Sequence, residues 1–341
     1  MTERSRITID LAAIRHNVAR LRDVAAPAAV WAVVKADAYG HGAVDVGRAA
    51  SSAGAAALCV ATIGEGAALR EAVDANVRIV VLGPTSAAER PEARAAALEL
   101  VTASPGEIPA DVPVHLKLDT GMGRWGLSEL LAPGDNVVGL MTHFASSEAD
   151  ESFTRRQLAD FLAATAPFPG IERHAANSAA ALMLPEARLD AVRCGIAVYG
   201  IDPFGADGRE HGLRPALRWE STIARVVRLE PGESTGYGRR FVAEQRTWIG
   251  QIPVGYADGF VRHLTGTNVV VNAEPCEVIG TISMDALAVR LSGRVEVGTP
   301  VTLVGDGVNL EQHARVAGTI AYELACGLRS GPARAMRVVE E

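Results

Sequence analysis

At 341 residues the chain is longer than a single hydrophobic core usually grows, which points to two domains, one of them large enough to be a barrel. Hydrophobic residues make up 48% and charged residues 21%, a globular balance that excludes a disordered chain. A net charge of −7 leaves no basic footprint, so nucleic acid is not an expected partner.

The opening segment "MTERSRITID" is charged and has no apolar h-region. No apolar run approaches the roughly 18 residues of a membrane span. A cytoplasmic protein with no membrane partner is expected. Cys59, Cys194, Cys276 and Cys326 are scattered, with no C-x-x-C and no cysteine–histidine cluster at zinc spacing. They read as reduced, small buried hydrophobes, and no metal is expected.

Residues 10–26 place Leu11, Ile14, Val18 and Leu21 on one helical face, with Asp10 available as an N-cap. Short apolar runs then recur: "AVWAVVKA", "AALCVAT", "VRIVVLG", "LELVTAS", "PVHLKLDT", "NVVGLMTHFA", "IERHAANS" and "AVRCGIAVYG". Alanine-rich helical segments lie between most of them. Eight strands alternating with helices is the pattern of a parallel (β/α)8 TIM-like barrel, here compact against the roughly 250 residues usual for one. On pattern alone a doubly wound sheet remains the alternative, although no Gly-x-Gly-x-x-Gly turn follows the first strand.

From about residue 214 the texture shifts to Val- and Thr-rich runs punctuated by Gly and Pro, among them "STIARVVRL", "TWIGQIPVG", "NVVVNAEPCEVIGTI", "ALAVRL" and "TPVTLVGDG". This predicts a mainly antiparallel β-domain, closed by a short helix near "VAGTIAYELACGL". The expected domains are a barrel over residues 8–213 and a β-domain over residues 214–341.

Barrels of this kind carry function at the C-terminal strand ends. Lys35 ends the first strand, Lys117 and Asp119 the fifth, His143 the sixth, and Asn177 and Ser178 the seventh. Arg193, Gly195 and Ile196 lie on the eighth strand and its exit. Loops after strands seven and eight often bind phosphate, a role that Ser178 and the Gly195-Ile196 turn fit. A lysine at the same rim can form a Schiff base with a carbonyl compound, and that lysine beside a phosphate site is what pyridoxal 5'-phosphate requires. Lys117 alternates onto the same face as His115 and Asp119. A buried ammonium needs relief, so the readings are a salt bridge to Asp119 or another acid, or covalent modification.

With "AVVKADAYGHG", "KLDTGMGRWG", "THFASSE", "HAANSAA", "VRCGIAVYG", "STGYGRRF", "VGYADGF", "GTISMDA" and "TIAYEL" in order, the chain resembles the alanine racemases, pyridoxal-phosphate enzymes of fold type III. The resemblance runs over essentially the whole length and implies the barrel plus β-domain, with residues 1–7 pairing into the latter. It implies that Lys35 carries the cofactor covalently. Tyr39, Ser178, Gly195, Ile196 and Tyr322 would bind its phosphate, with Asn177 beside them. Arg193 would face the pyridine nitrogen with His174 behind it. Because guanidinium only donates, the ring nitrogen would stay largely unprotonated and the cofactor a weaker electron sink.

Racemisation needs a base on each face of a planar intermediate. The resemblance makes Tyr237, from the other subunit of a homodimer with shared active sites, the second base opposite Lys35. Tyrosine is ordinarily a poor base at neutral pH, and a His143–Arg193 network is the expected source of supporting charge. Arg124 would hold the substrate carboxylate, a carbamylated Lys117 would hold Arg124, and Tyr256 and Met284 of the other subunit would close the entrance on a small amino acid. The chain departs from the family's pattern at Trp125, at Gly236 and in "LRSGPAR", and it is somewhat short. None of these removes a catalytic group. Rival readings are a serine or broad-specificity racemase, a decarboxylase of the same fold type, and a non-catalytic carrier of the cofactor.

Overall fold

The computed structural model describes residues 4–104, 108–130, 132–331 and 334–341. It divides into two compact units. One comprises Ala12–Phe204 and Gly208–Arg214; the other comprises Met1–Leu11, Gly205–Asp207 and Pro215–Glu341. Residues 1–3 of the segment expected to pair with the β-domain, and Pro332 and Ala333 of "LRSGPAR", lie outside the described residues.

The chain begins with strand β1 (Ser5–Asp10) and helix α1 (Leu11–Ala25). Leu11, Ile14, Val18 and Leu21 are all buried, as the helical spacing predicts. Eight parallel strands then close a barrel: β2 (Ala29–Val33), β3 (Ala57–Val60), β4 (Arg78–Val81), β5 (Glu99–Thr102), β6 (Val114–Lys117), β7 (Val137–Met141), β8 (Glu172–His174) and β9 (Ala191–Cys194). β9 returns to β2, pairing Ala29–Ala32 with Ala191–Cys194. The closed ring rules out the doubly wound alternative.

Covered on both faces, these strands read as continuous apolar runs: every residue of β3, β6 and β9 is buried. Between the strands lie α2 (Lys35–Tyr39), α3 (Ala43–Ser52), α4 (Ile63–Arg70), α5 (Arg90–Ala95), α6 (Glu151–Thr165) and α7 (Ser178–Met183). Several start where a polar side chain takes an otherwise orphaned N–H. Thr62 and Glu65 form a capping box on α4, and Asp150 and Asn177 cap α6 and α7.

The second unit is built on a nine-stranded sheet, ordered β11-β14-β17-β16-β15-β18-β10-β1-β19. Its further strands are β10 (Leu217–Thr222), β11 (Arg225–Leu229), β14 (Thr247–Ile252), β15 (Asn268–Val271), β16 (Glu274–Ile279), β17 (Leu287–Leu291), β18 (Pro300–Val304) and β19 (Met336–Glu340). All pairings are antiparallel except β1 with β19. A small hairpin joins β12 (Ser234–Thr235) to β13 (Phe241–Val242). The single expected closing helix is two, α8 (Leu310–Ala317) and α9 (Ala321–Gly327), because Gly318 ends the first in the left-handed conformation. Three cysteines are buried as expected, but Cys326, near the end of α9, is exposed.

Candidate active site at the barrel rim

Lys35 does not end a strand. β2 stops at Val33, and Lys35 opens a turn in which Ala36, Asp37, Ala38 and Tyr39 all have φ between 51° and 54°. Four successive non-glycine residues in the left-handed region cost roughly 1–2 kcal/mol each, so the surroundings must hold them there. They do so with defined bonds. Glu65 Oε1 accepts from the Ala36 N–H at 2.8 Å and Asp37 Oδ1 from the Ala43 N–H at 2.8 Å. Inside the turn, the Gly40 N–H reaches the Ala36 carbonyl and the Gly42 N–H the Asp37 carbonyl. The α4 capping box therefore also fixes the backbone next to Lys35.

The turn folds Tyr39 back against β9's exit. Its ring lies 5.0 Å from that of Tyr199, whose hydroxyl donates to the Val33 carbonyl at 2.7 Å. A Cβ on Gly195 would fall 2.5 Å from the Tyr39 hydroxyl, so only glycine allows this approach. Ser178 Oγ accepts from the Gly195 N–H at 3.0 Å and the Ala197 N–H at 3.4 Å, which leaves its own proton to donate. Asn177 Oδ1 is taken by the Ala180 N–H and the Ser147 hydroxyl. Tyr39, Ser178, Gly195 and Ile196 thus sit around one small, glycine-lined cradle of hydroxyl and backbone donors, a set that suits a phosphate.

Arg193 is buried and clamped. Nη1 donates to His174 Nδ1 and to the His174 carbonyl, both at 2.8 Å. Nη2 donates to the carbonyls of Thr142 and Ala175, at 2.8 and 3.1 Å, and approaches His143 Nδ1 at 3.2 Å. Among the described residues no protein acceptor takes its Nε–H, a donor that a pyridine nitrogen would satisfy. Burial pulls the guanidinium down to about 10, which still leaves it charged at neutral pH.

Lys117 is buried at the end of β6 without a carboxylate partner among the described residues. The expected salt bridge to Asp119 is not formed. Asp119 accepts instead from the N–H groups of Gly121, Met122 and Gly123, closing the loop that carries Arg124. Trp125 takes the place of a carboxylate, its ring centroid 5.0 Å from Lys117 Nζ and 4.3 Å from the Arg124 guanidinium carbon. Burial, then the charges of Arg124 and Arg193, pull Lys117 down to about 8. Burial, then Arg193, Arg124, Lys117 and Lys35, push His143 well below its ordinary range, so it is neutral. His143 accordingly adds no charge of its own to the network with Arg193.

On the second unit, Tyr237, Tyr256 and Met284 are 74%, 40% and 50% exposed. Segment 281–284 gathers them: the Thr281 hydroxyl donates to the Tyr237 carbonyl at 2.8 Å, and the Tyr256 and Ala257 N–H groups bond to the carbonyls of Ser283 and Met284. Gly236, at φ 80°, has the Thr281 N–H 3.1 Å from where a Cβ would stand, which accounts for glycine before Tyr237. Tyr322 is partly buried on α9. Sequence reasoning passed over Glu65, whose signal was the Thr62–Glu65 capping spacing, and Glu99, which carried no local signal. Among the described residues no group of three or more His, Cys, Asp or Glu side chains gathers as a metal site.

Comparison with known proteins places this chain. Residues 9–203 match the family model of the alanine racemase N-terminal domain, and residues 216–337 that of the C-terminal domain. The chain is 39% identical to the alanine racemase of Lactiplantibacillus plantarum over 95% of both chains. It superposes on the alanine racemase of Streptomyces coelicolor A3(2) with a TM-score of 0.89 at 36% identity, covering 98% of each chain. The biosynthetic alanine racemase of Pseudomonas aeruginosa gives 0.91 at 34% identity, over 100% of each. With both of its units matched nearly from end to end, the chain belongs to the alanine racemase family.

Proposed function

We propose that the protein interconverts L- and D-alanine with pyridoxal 5'-phosphate as cofactor, Lys35 and Tyr237 acting as the two bases. The observation that carries this reading is the charge at the barrel rim. Lys35, Lys117, Arg124 and Arg193 all act on His143, and Asp119, the nearby acid, is committed to backbone donors. Such a knot of like charge suits a ligand with several anionic groups. Phosphate, phenolic oxygen and substrate carboxylate together are that ligand.

Pyridoxal 5'-phosphate, when bound, supplies the electron sink that makes the substrate's α-hydrogen acidic. Tyr39, Ser178, Gly195, Ile196 and Tyr322 would hold its phosphate, and Lys35 would hold it covalently. Arg193, held by its hydrogen bonds, would offer Nε–H to the ring and could not accept a proton from it. Arg124 orients the substrate carboxylate with its planar fork. Lys35 Nζ takes or returns the α-proton on one face; Tyr237 Oη of the partner subunit does so on the other.

A homodimer follows from that assignment, because Tyr237, Tyr256 and Met284 would be covered by a second copy. At about 8, Lys117 holds a sizeable share of neutral amine at neutral pH, the form that adds carbon dioxide to give a carbamate and a proton. The resulting anion would hold Arg124. No helix among the described residues is long and apolar enough to cross a membrane. The proposal places the enzyme in the cytoplasm, supplying D-alanine as a cell-wall precursor.

Chiral analysis of L-alanine incubated with the purified, cofactor-loaded protein tests the reading, with Lys35→Ala as control and L-serine as competing substrate. D-alanine from the unsubstituted protein alone is expected. D-serine formed faster than D-alanine would transfer the reading to a serine racemase, and no product from either would overturn it.

A further inference from the structure

Behind Arg193 a line of polar side chains, buried at its two histidines, runs toward the opposite end of the barrel. His174, at the C-terminal end of β8, accepts from Arg193 at Nδ1. Its Nε2 lies 3.0 Å from His115 Nδ1, and His115 Nε2 lies 2.8 Å from Glu99 Oε2. Glu99 opens β5 at the opposite, N-terminal strand end, where Arg78 clasps it through Nε and Nη2 at 2.8 and 2.9 Å. Arg78 also holds Glu172 at 2.9 Å. Both histidines are fully buried.

The line is enclosed. Trp31 lies 5.6 Å from His115 and 4.4 Å from His174, ring centre to ring centre, with the Arg78 guanidinium over its face at 4.9 Å. On the other side, a Cβ on Gly139 would fall 1.9 Å from His115 Nδ1. β7 must therefore carry glycine here if the imidazole is to fit between the strands.

These contacts allow one direction of hydrogen bonding. Arg193 can only donate, so His174 Nδ1 bears no proton and Nε2–H donates onward. His115 then accepts at Nδ1 and donates from Nε2 to Glu99. The reverse direction would set a protonated Nδ1 of His174 against an Arg193 N–H at 2.8 Å. A carboxylate at the far end enforces the same direction because it can only accept. Although burial raises Glu99, hydrogen bonds from His115 and Arg78 outweigh it and hold the acid at about 2. Burial and the Arg193 charge keep His174 neutral.

We propose that Glu99 is a positioning residue for Arg193, acting through His115 and His174 to fix both imidazoles as Nε2–H tautomers and so to hold the guanidinium in one orientation. A group at the barrel's N-terminal end thereby sets the geometry at its catalytic rim. The kinetic part of the inference rests on Arg193 facing the cofactor ring; the tautomers do not.

Histidine-labelled holoenzyme should show, in long-range 1H–15N correlation at neutral pH, His115 and His174 each protonated at Nε2 alone. In Glu99→Gln the terminal amide can donate as well as accept. Only Arg193 then enforces the direction, so Nδ1-protonated forms should appear beside the Nε2–H tautomers, and kcat should fall about tenfold with KM within about twofold, a loss specific to the reacting state. Glu172→Gln removes a carboxylate that faces Arg78 alone, and should keep both the tautomers and the kcat. A proton on His115 Nδ1 in the unsubstituted enzyme would overturn the proposal, and that spectrum decides even where Glu99→Gln does not fold. Equal behaviour of the two variants would overturn it as well. Correct tautomers in a protein that makes no D-alanine would spare the relay and sink the proposed activity.

Discussion

At the barrel rim Lys117, Arg193, Ser178 and Gly195 are buried and tied into hydrogen bonds or cation contacts; on the sheet unit Tyr237, Tyr256 and Met284 stand exposed, positioned through their backbones. The first region confines four positive charges and a strained left-handed turn, and so spends folding stability on geometry. The second spends little, since segment 281–284 and Gly236 suffice to aim its side chains. The difference separates two tasks. On the proposed function, holding an anionic cofactor would need preorganised donors, whereas closing over a substrate would need only a surface that a second copy could bring up.

The comparison breaks most sharply at Tyr237. Tyr237→Phe leaves the backbone that holds the loop and removes one hydroxyl, already in solvent. Cofactor binding should be unchanged, while racemisation falls about 10²–10⁴-fold. Solvent-deuterium incorporation into each enantiomer checks the cause: exchange should survive for the enantiomer whose α-hydrogen faces Lys35 and vanish for the other. Loss of both exchanges would mean that Tyr237 holds the site together rather than carrying a proton. Unchanged racemisation would favour another second base or, with no activity in either protein, a cofactor carrier.

The two regions were also unequally legible in the sequence. Barrel strands buried on both faces appear as unbroken apolar runs, so all eight were readable, and Lys117 and Arg193 stand at strand ends as expected. Propensity did not reveal that Lys35 opens a left-handed turn, because alanine disfavours that region and only tertiary bonds from Glu65 and Asp37 enforce it. Glu99 and His115 were hidden for a related reason: a partnership across neighbouring strands leaves no spacing signal along the chain. Trp125 was visible as a departure, but its placement between two cations needed the loop that Asp119 closes. On the sheet unit, Val- and Thr-rich runs punctuated by Gly and Pro gave the strands, while the roles of Tyr237, Tyr256 and Met284 came from resemblance alone.

A smaller effect should follow at the phosphate cradle. Gly195→Ala places a methyl 2.5 Å from the Tyr39 hydroxyl and 3.1 Å from its ring carbon, so Tyr39 must move. Cofactor affinity should weaken about tenfold, the worth of one good hydrogen bond to an anion. Titration of the protein with pyridoxal 5'-phosphate, followed by absorbance, reads it. Far-UV circular dichroism should not change, and kcat at saturating cofactor should stay close to that of the unsubstituted enzyme. Unchanged affinity would remove Gly195 from the cradle.

The last effect is on stability rather than activity and concerns Lys117, where stability and pH separate a free ammonium from a carbamate. With a folded value of about 8 against 10.5 for the ordinary side chain, the unfolded chain binds the proton more readily between those two values. Stability therefore rises as pH climbs from about 8 to 10.5, and the charge destabilises the fold fully only below that window. Lys117→Met removes the term while keeping the stem's bulk. In bicarbonate-free buffer at pH 7 the variant should be more stable, by roughly 3 kcal/mol at most, and the gap should close toward pH 10. Denaturant melts at the two pH values measure it. Bicarbonate should stabilise the unsubstituted protein and not the variant, because only an amine can become the anion that neutralises Arg124. A variant less stable than its parent without bicarbonate would mean that the Trp125 face already compensates Lys117, leaving the rim's like charges without the cost that sets it apart from the sheet.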